Sequence, residues 1–143
     1  MTKINFTNLP DTSTPLNATN MNALQTNTEN AINQVANDNI KQNIPDNKFS
    51  METGVTLIQN HSFTIGNMVF INLKISSNIT DNYKTYLTID NSLKPTSETN
   101  LLASTNYLLP SNGWVRSNGE IAIGFSDNKS DADIRILSFY SIA

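Results

Sequence analysis

The feature that most narrows the folds open to this chain is a period of two. In "MVFINLKIS", Val69, Ile71, Leu73 and Ile75 are apolar, with Asn72 and Lys74 between them. Successive side chains of a strand point to opposite faces, so this alternation marks a strand with one buried side. Ile121, Ile123 and Phe125 alternate in the same way with Ala122 and Gly124, and Ile134 and Ile136 flank Arg135. Candidate strands are Val55–Gln59, Ser62–Gly66, Met68–Ser76, Lys84–Ile89, Leu101–Thr105, Trp114–Ser117, Glu120–Phe125 and Ile134–Tyr140. Short strands at such regular spacing, with turn chemistry between them, predict a mainly β, antiparallel domain over 49–143, a sandwich or closed barrel, with the sandwich taken forward. In "WVRSNGEIAIGF" the Asn118-Gly119 pair predicts a two-residue type I′ hairpin. Leu137, Phe139 and Ile142 give the last strand an apolar second face. On a sheet edge such a face invites aggregation, so a second subunit is expected to cover it.

Residues 17 to about 44 follow a helical pattern. Asn17 is a good N-cap, because its side-chain oxygen can accept from a first-turn N–H. Leu16 and Met21 then take the hydrophobic-staple positions, and Pro45 ends the segment. Met21, Leu24, Thr28, Ile32 and Val35 form a stripe with steps of 3, 4, 4 and 3, near an eleven-residue repeat that next reaches Asn39. A globular helix normally shows an apolar face wider than about 100°; this one is a seam bordered by Asn and Thr. A seam suits partner helices of the same kind, a coiled coil. The alternative is a helix laid on its own β-domain. Ile40 and Ile44 fall off the seam, and Asn37-Asp38-Asn39 forms helix poorly, so a break is expected there. Before the helix, Ile4, Phe6 and Leu9 in a stretch bounded by Pro10 and Pro15 predict an extended arm over 1–16. The domain reading is thus arm 1–16, helical stem and linker 17–48, and β head 49–143.

Asn, Thr and Ser supply 53 of the 143 residues, the net charge is −3, and no Lys/Arg cluster stands out. Nucleic acid is a poor partner for such a surface, since phosphate binding needs a basic patch. With no cysteine there is neither a disulfide nor a thiolate metal site. No run approaches the roughly 18 apolar residues of a membrane span, and "MTKINFTNLP" lacks a signal-peptide core; Met1 fits a chain made whole in the cytoplasm. No catalytic constellation is visible. His61 is the one histidine, placed in a turn, and no nucleophile motif accompanies it. Asp127, Asp131 and Asp133 share a loop, which calcium could use, but their spacing is not that of an EF-hand and a solvated loop is the plainer reading. No pair of carboxylates is marked for glycoside hydrolysis. No metal or cofactor is expected.

The remaining signal is aromatic. Tyr83, Tyr107 and Trp114, with Asn82 and Asn106, lie in "TDNYKTY" and "STNYLLPSNGW". Aromatic faces beside neutral hydrogen-bonding groups suit a glycan, although the aromatics could instead cap the core. Loops 78–84, 104–114 and 126–133 concentrate Tyr, Asn and Asp and are the candidate ligand loops.

"NLPDTSTPLNATNMNAL" resembles the N-terminal motif of small bacteriophage tail and baseplate proteins of Gram-positive hosts, in which a short arm leads into a trimeric helical stem. "IGNMVFINLKI", "LKP", "VRSNGEIAI" and "IRILSFYSI" are similar to their β-sandwich tips. The resemblance implies a homotrimeric, non-enzymatic virion component, made in the host cytoplasm. Its arm would bind other tail or baseplate proteins and its head would adhere to host cell-wall saccharide. It carries over no receptor residues, and this chain lacks a middle module between stem and tip. Two rival readings stay open: a purely structural tail component, and a glycan-degrading tail enzyme.

Overall fold

A computed structural model describes residues 18–142. The arm expected over 1–16, and the Asn17 cap with its Leu16 staple, lie outside these residues. The chain divides into two units after Ile40.

The first unit holds one helix, α1, Ala18–Asp38, roughly 30 Å long at about 1.5 Å per residue. Its threonine side chains bond back onto the helix they sit in, which satisfies their hydroxyls without strengthening the helix. Thr26 Oγ1 donates to Asn22 O and Thr28 Oγ1 to Leu24 O, each at 2.9 Å. Thr28, in the middle of the seam, therefore has its hydroxyl occupied by backbone. The helix stops at the poor formers Asn37-Asp38-Asn39, where Asn39 Nδ2 donates to Val35 O at 2.8 Å and satisfies one of the orphan carbonyls. No residue of α1 is buried. Leu24, Ile32 and Val35 of the stripe are exposed, and Met21 is half-buried.

The second unit is a β half-barrel. Its strands are β1 (Gln42–Asn43), β2 (Phe49–Met51), β3 (Val55–Asn60), β4 (Phe63–Ile65), β5 (Met68–Ile79), β6 (Lys84–Ile89), β7 (Thr99–Thr105), β8 (Ser111–Val115), β9 (Glu120–Phe125) and β10 (Lys129–Ser141). The order is β1-β4-β5-β10-β7-β8-β9-β6-β2, with β3 also paired to β5. Every pairing is antiparallel. The ladder is continuous: Leu102–Thr105 of β7 pair with β10, and Thr99–Leu101 of the same strand pair with β8. One strand thus carries the sheet round its corner, where two separate sheets were expected. The order ends in strands of two and three residues, short edges that offer little to edge-to-edge pairing.

Alternation places the core on the concave side. Val69, Ile71, Leu73 and Ile75 of β5, with Ile136 and Ile134 beside Leu73 and Ile75 on β10, share one core with Ile121, Ile123 and Phe125 of β9 and Val115 of β8. Ile44 and Phe49 belong to this core as well, so the stretch read as linker up to residue 48 is partly head: Ile44 N–H donates to Ser62 O at 3.0 Å. Tyr140 closes one end, its hydroxyl donating to Leu93 O at 2.8 Å.

Two further expectations need correcting. The Asn118 turn is not type I′, which requires φ > 0 at both central residues. Gly119 alone is positive (φ 91°). Gly119 N–H donates to Arg116 O at 2.8 Å and Arg116 N–H to Glu120 O at 2.9 Å. That is a three-residue loop closed by a glycine bulge. The last strand is also not an edge: β10 lies between β5 and β7. Its apolar second face is real nonetheless, for Leu137 and Phe139 are exposed, whereas Ile142 packs against the core.

Candidate functional site

The β5–β6, β7–β8 and β9–β10 connections lie at one end of the half-barrel, because β5 arrives there as β10 leaves it (Ile79 pairs with Lys129). The chain enters the unit at the other end, where Gln42 pairs with Thr64 and Thr64 with Val69. Hydrogen bonds knit the three loops together. Asn128 Oδ1 accepts from Asp81 N–H at 3.0 Å and Asn78 Oδ1 from Asp131 N–H at 3.1 Å. Ser126 N–H donates to Pro110 O at 3.2 Å, and the Tyr107 hydroxyl donates to Ser130 O at 3.3 Å.

A cleft of about 250 Å³ opens here, lined by Asp81, Tyr83, Pro110, Ser111, Asn112, Gly124, Phe125 and Ser126. Its aromatic wall comes from the register of β8 and β9. Asn112 pairs with Gly124 and Trp114 with Ala122, so two small residues of β9 lie beside the larger ones of β8. Tyr83 fills the space over Gly124: a Cβ there would stand 2.9 Å from two of its ring carbons. The ring rests against Trp114 with centroids 4.9 Å apart and planes tilted by 42°. Trp114 backs the Tyr83 ring and does not itself line the cleft; an exposed tyrosine ring beside a hydroxyl, an amide and a carboxylate can stack on the apolar face of a polyol and hydrogen-bond its edge.

Of the five residues singled out from the sequence, Tyr83 and Trp114 come together, and Asn82 adjoins them with its amide donating to Asp81 Oδ1 at 3.3 Å. Asn106 and Tyr107 stand apart from this wall. Asn106 Oδ1 accepts from Asp133 N–H at 3.1 Å, and Asn106 lines a second, polar cleft of about 240 Å³ with Lys74, Ser104, Thr105, Asp133 and Arg135. Asp81 and Asn112 lie in the candidate loops without having been singled out, and Gly124 was missed; the signal was the outward row Ala122, Gly124, whose small side chains leave room above a sheet. Leu108, inside the candidate loop 104–114, was not singled out either. It projects from the β7–β8 loop with 88% exposure and φ of 55°, a conformation disfavoured for a branched side chain.

The three aspartates of the β9–β10 loop do not converge. Asp127 pairs with Lys129, and Lys74 binds Asp133 at 2.7 Å. The Lys129 side-chain hydrogen bond, then the Asn128 N–H, hold the Asp127 carboxyl below its ordinary range. Among the described residues no group of His, Cys, Asp and Glu side chains is placed to hold a metal, and no helix is long and apolar enough to cross a membrane. His61 is exposed in the β3–β4 turn, outside both clefts. Comparison with protein-family models, with curated proteins and with solved structures found no match.

Proposed function

We propose that the chain is a non-enzymatic tail or baseplate fibre protein of a bacteriophage virion, a homotrimer joined through the helical seam. In this reading its β head adheres to neutral saccharide on the host cell surface, and its N-terminal arm attaches to other tail proteins. The observation that carries the adhesive part is the gathering of three Tyr-, Asn- and Asp-bearing loops, with the Tyr83–Trp114 wall, at the end of the head opposite the entry of the chain at Lys41. The phage part rests on the resemblance of "TPLNATNMNAL" to tail-protein arms, and the oligomer on the exposed Leu24, Ile32 and Val35. Individual sugar contacts are weak, and three heads acting together would supply avidity.

The test is pull-down of the full chain on purified cell walls, beside the Tyr83→Ala variant. Retention of the parent and at least a tenfold loss in the variant, at unchanged circular dichroism, supports adhesion. Equal retention removes the wall from the reading. A structural component without a receptor is the second reading. It is favoured by how fully Asn78, Asn106 and Asn128 are spent on tying the loops together, and cell walls that retain neither protein would select it.

A further inference from the structure

We infer that the convex face of the half-barrel around Phe139 is a head-to-head contact between copies of this chain. This goes beyond the seam invoked above, and rests on the homo-oligomer part of that reading. The outward row of β10 changes character midway. Arg135 is charged; then come Leu137, 47% exposed, and Phe139, 66% exposed. Leu102 of β7, directly opposite Leu137, is 75% exposed. Phe70, opposite Phe139 on β5, stacks at 6.4 Å from it and at 4.7 Å from Phe63. Where β7 leaves β10 to pair with β8, the sheet splits, and an apolar groove of about 300 Å³ opens between them. Its polar lining is limited to Asn72, Asn100 and Ser138, so it carries no charge of its own.

Area identifies the occupant. With side chains of about 200 Å² each, Leu102, Leu137 and Phe139 present roughly 400 Å² of apolar surface. That is within the range of the largest apolar patch on a monomer, which is often functional, and about half of the roughly 800 Å² per partner of a stable interface. Leu24, Ile32 and Val35 of α1, at 60, 53 and 63% exposure, present a comparable amount. Either surface alone falls short; together they reach an ordinary stable interface. A foreign partner would have to match two separate apolar surfaces on one chain. Another copy carries both, and a symmetric assembly covers both at once. The face also lies at the end of the head where the chain arrives from α1, as Lys41 stands 4.4 Å over the Phe63 ring. Self-association there leaves the loop end free.

The chain has no cysteine, so a single introduced thiol reports its own surroundings. Phe139→Cys tests the face and Leu108→Cys, at the loop end, is the reference; neither side chain is part of the core. Full-length variants are alkylated at a concentration where light scattering gives the oligomer, and bridged with a short bis-maleimide. The expected result is at least tenfold slower alkylation at position 139 than at 108, with inter-chain bridging confined to 139. Equal rates in an intact oligomer overturn the inference while leaving the stem reading in place. A monomer at micromolar concentration overturns both. Protection at 139 that arises only on adding another tail protein overturns it in favour of a foreign partner. In Leu24→Asp, protection at 139 must weaken as the oligomer dissociates; unchanged protection in a monomer also overturns it.

Discussion

Replacing Gly124 by Ala adds one methyl group and deletes no side chain, yet it strikes the aromatic wall directly. The new Cβ would lie 2.9 Å from Cδ1 and Cε1 of Tyr83, while carbons pack comfortably at about 3.5–4.0 Å. The ring must therefore retreat by roughly 0.6–1 Å. It can do so, because Tyr83 is 54% exposed. The 4.9 Å contact with Trp114 opens, and an aromatic pair of this kind is worth about 0.5–1.5 kcal/mol. Against that, Ala in a strand gains roughly 0.5–1 kcal/mol over Gly in backbone entropy. The two nearly cancel, so stability should change by less than about 1 kcal/mol, a shift of about 5 °C or less in Tm. Binding does not cancel. A gap of this size forfeits a quarter to a half of the dispersion attraction across it. A loss of about 0.5–1 kcal/mol per head is two- to fivefold in affinity, and in the proposed trimer three heads would compound it to roughly ten- to a hundredfold in cell-wall retention. The assay is built into the chain, since Trp114 is its only tryptophan. Its emission, excited at long wavelength, should shift to the red in Gly124→Ala while the thermal transition stays put. Unchanged emission would refute the claimed packing of Tyr83 on Trp114. Shifted emission with undiminished retention would refute the role given to the wall.

Two tyrosines should respond oppositely to loss of the hydroxyl. Tyr86 is fully buried with no partner for its OH, and burial pushes its phenol up to about 12, so Tyr86→Phe should raise stability by about 1 kcal/mol in urea unfolding. Tyr140→Phe strands the carbonyl of Leu93 and should lower it by about 1–2 kcal/mol. Asp90 is held down to about 2, first by the Ser92 side chain, then by the Ser92 N–H and Lys48. Its folded value lies below the unfolded one near 4, so its contribution is complete above about pH 4 and is lost as pH falls toward 2. Asp90→Asn should flatten that part of the urea-midpoint profile. Leu24→Asp places a charge in the proposed stem seam and should dissociate the proposed oligomer, read by light scattering, with the β unit still folded by circular dichroism. Deleting residues 1–16 should leave the melting transition nearly unchanged.

Legibility in the sequence follows how local the physics is. β6 and β9 have the boundaries expected, Lys84–Ile89 and Glu120–Phe125, because alternation and turn residues both lie within a few positions of each strand. The stop of α1 at Asp38 was legible for the same reason, in the low propensity of Asn37-Asp38-Asn39. β1 and β2 were not, since strands of two and three residues have no period to detect. The hairpin at Asn118 was misassigned by one residue of loop length, which depends on the pairing of Val115 with Ile121 and not on the dipeptide. The place of β10 at the centre of the sheet could not be read at all: alternation tells which face a residue takes, never which strand lies beside it.

The same distinction explains which parts of the candidate site were visible. Inward positions must be apolar for the head to fold, so they carry little information about partners; outward positions are under no such constraint. On β10 the outward sequence runs Asp133, Arg135, Leu137, Phe139, and on β5 it runs back through Lys74 and Asn72 to Phe70. Charge lies toward the loop end and apolar surface toward the entry end, on both strands in register. Each strand read singly gives an odd exposed Leu or Phe, which needs no explanation. The pairing of Phe139 with Phe70 and of Leu137 with Leu102 turns them into one surface. Nothing in folding asks for that surface, and the association proposed above would account for it. Tyr83 and Trp114 likewise stood out as lone aromatics, and the register of Gly124 against Asn112 makes them a wall. The head therefore carries two outward surfaces of different chemistry at opposite ends of β5, nine residues and roughly 30 Å apart between Phe70 and Ile79. That separation lets copies associate at one end without covering the loops at the other.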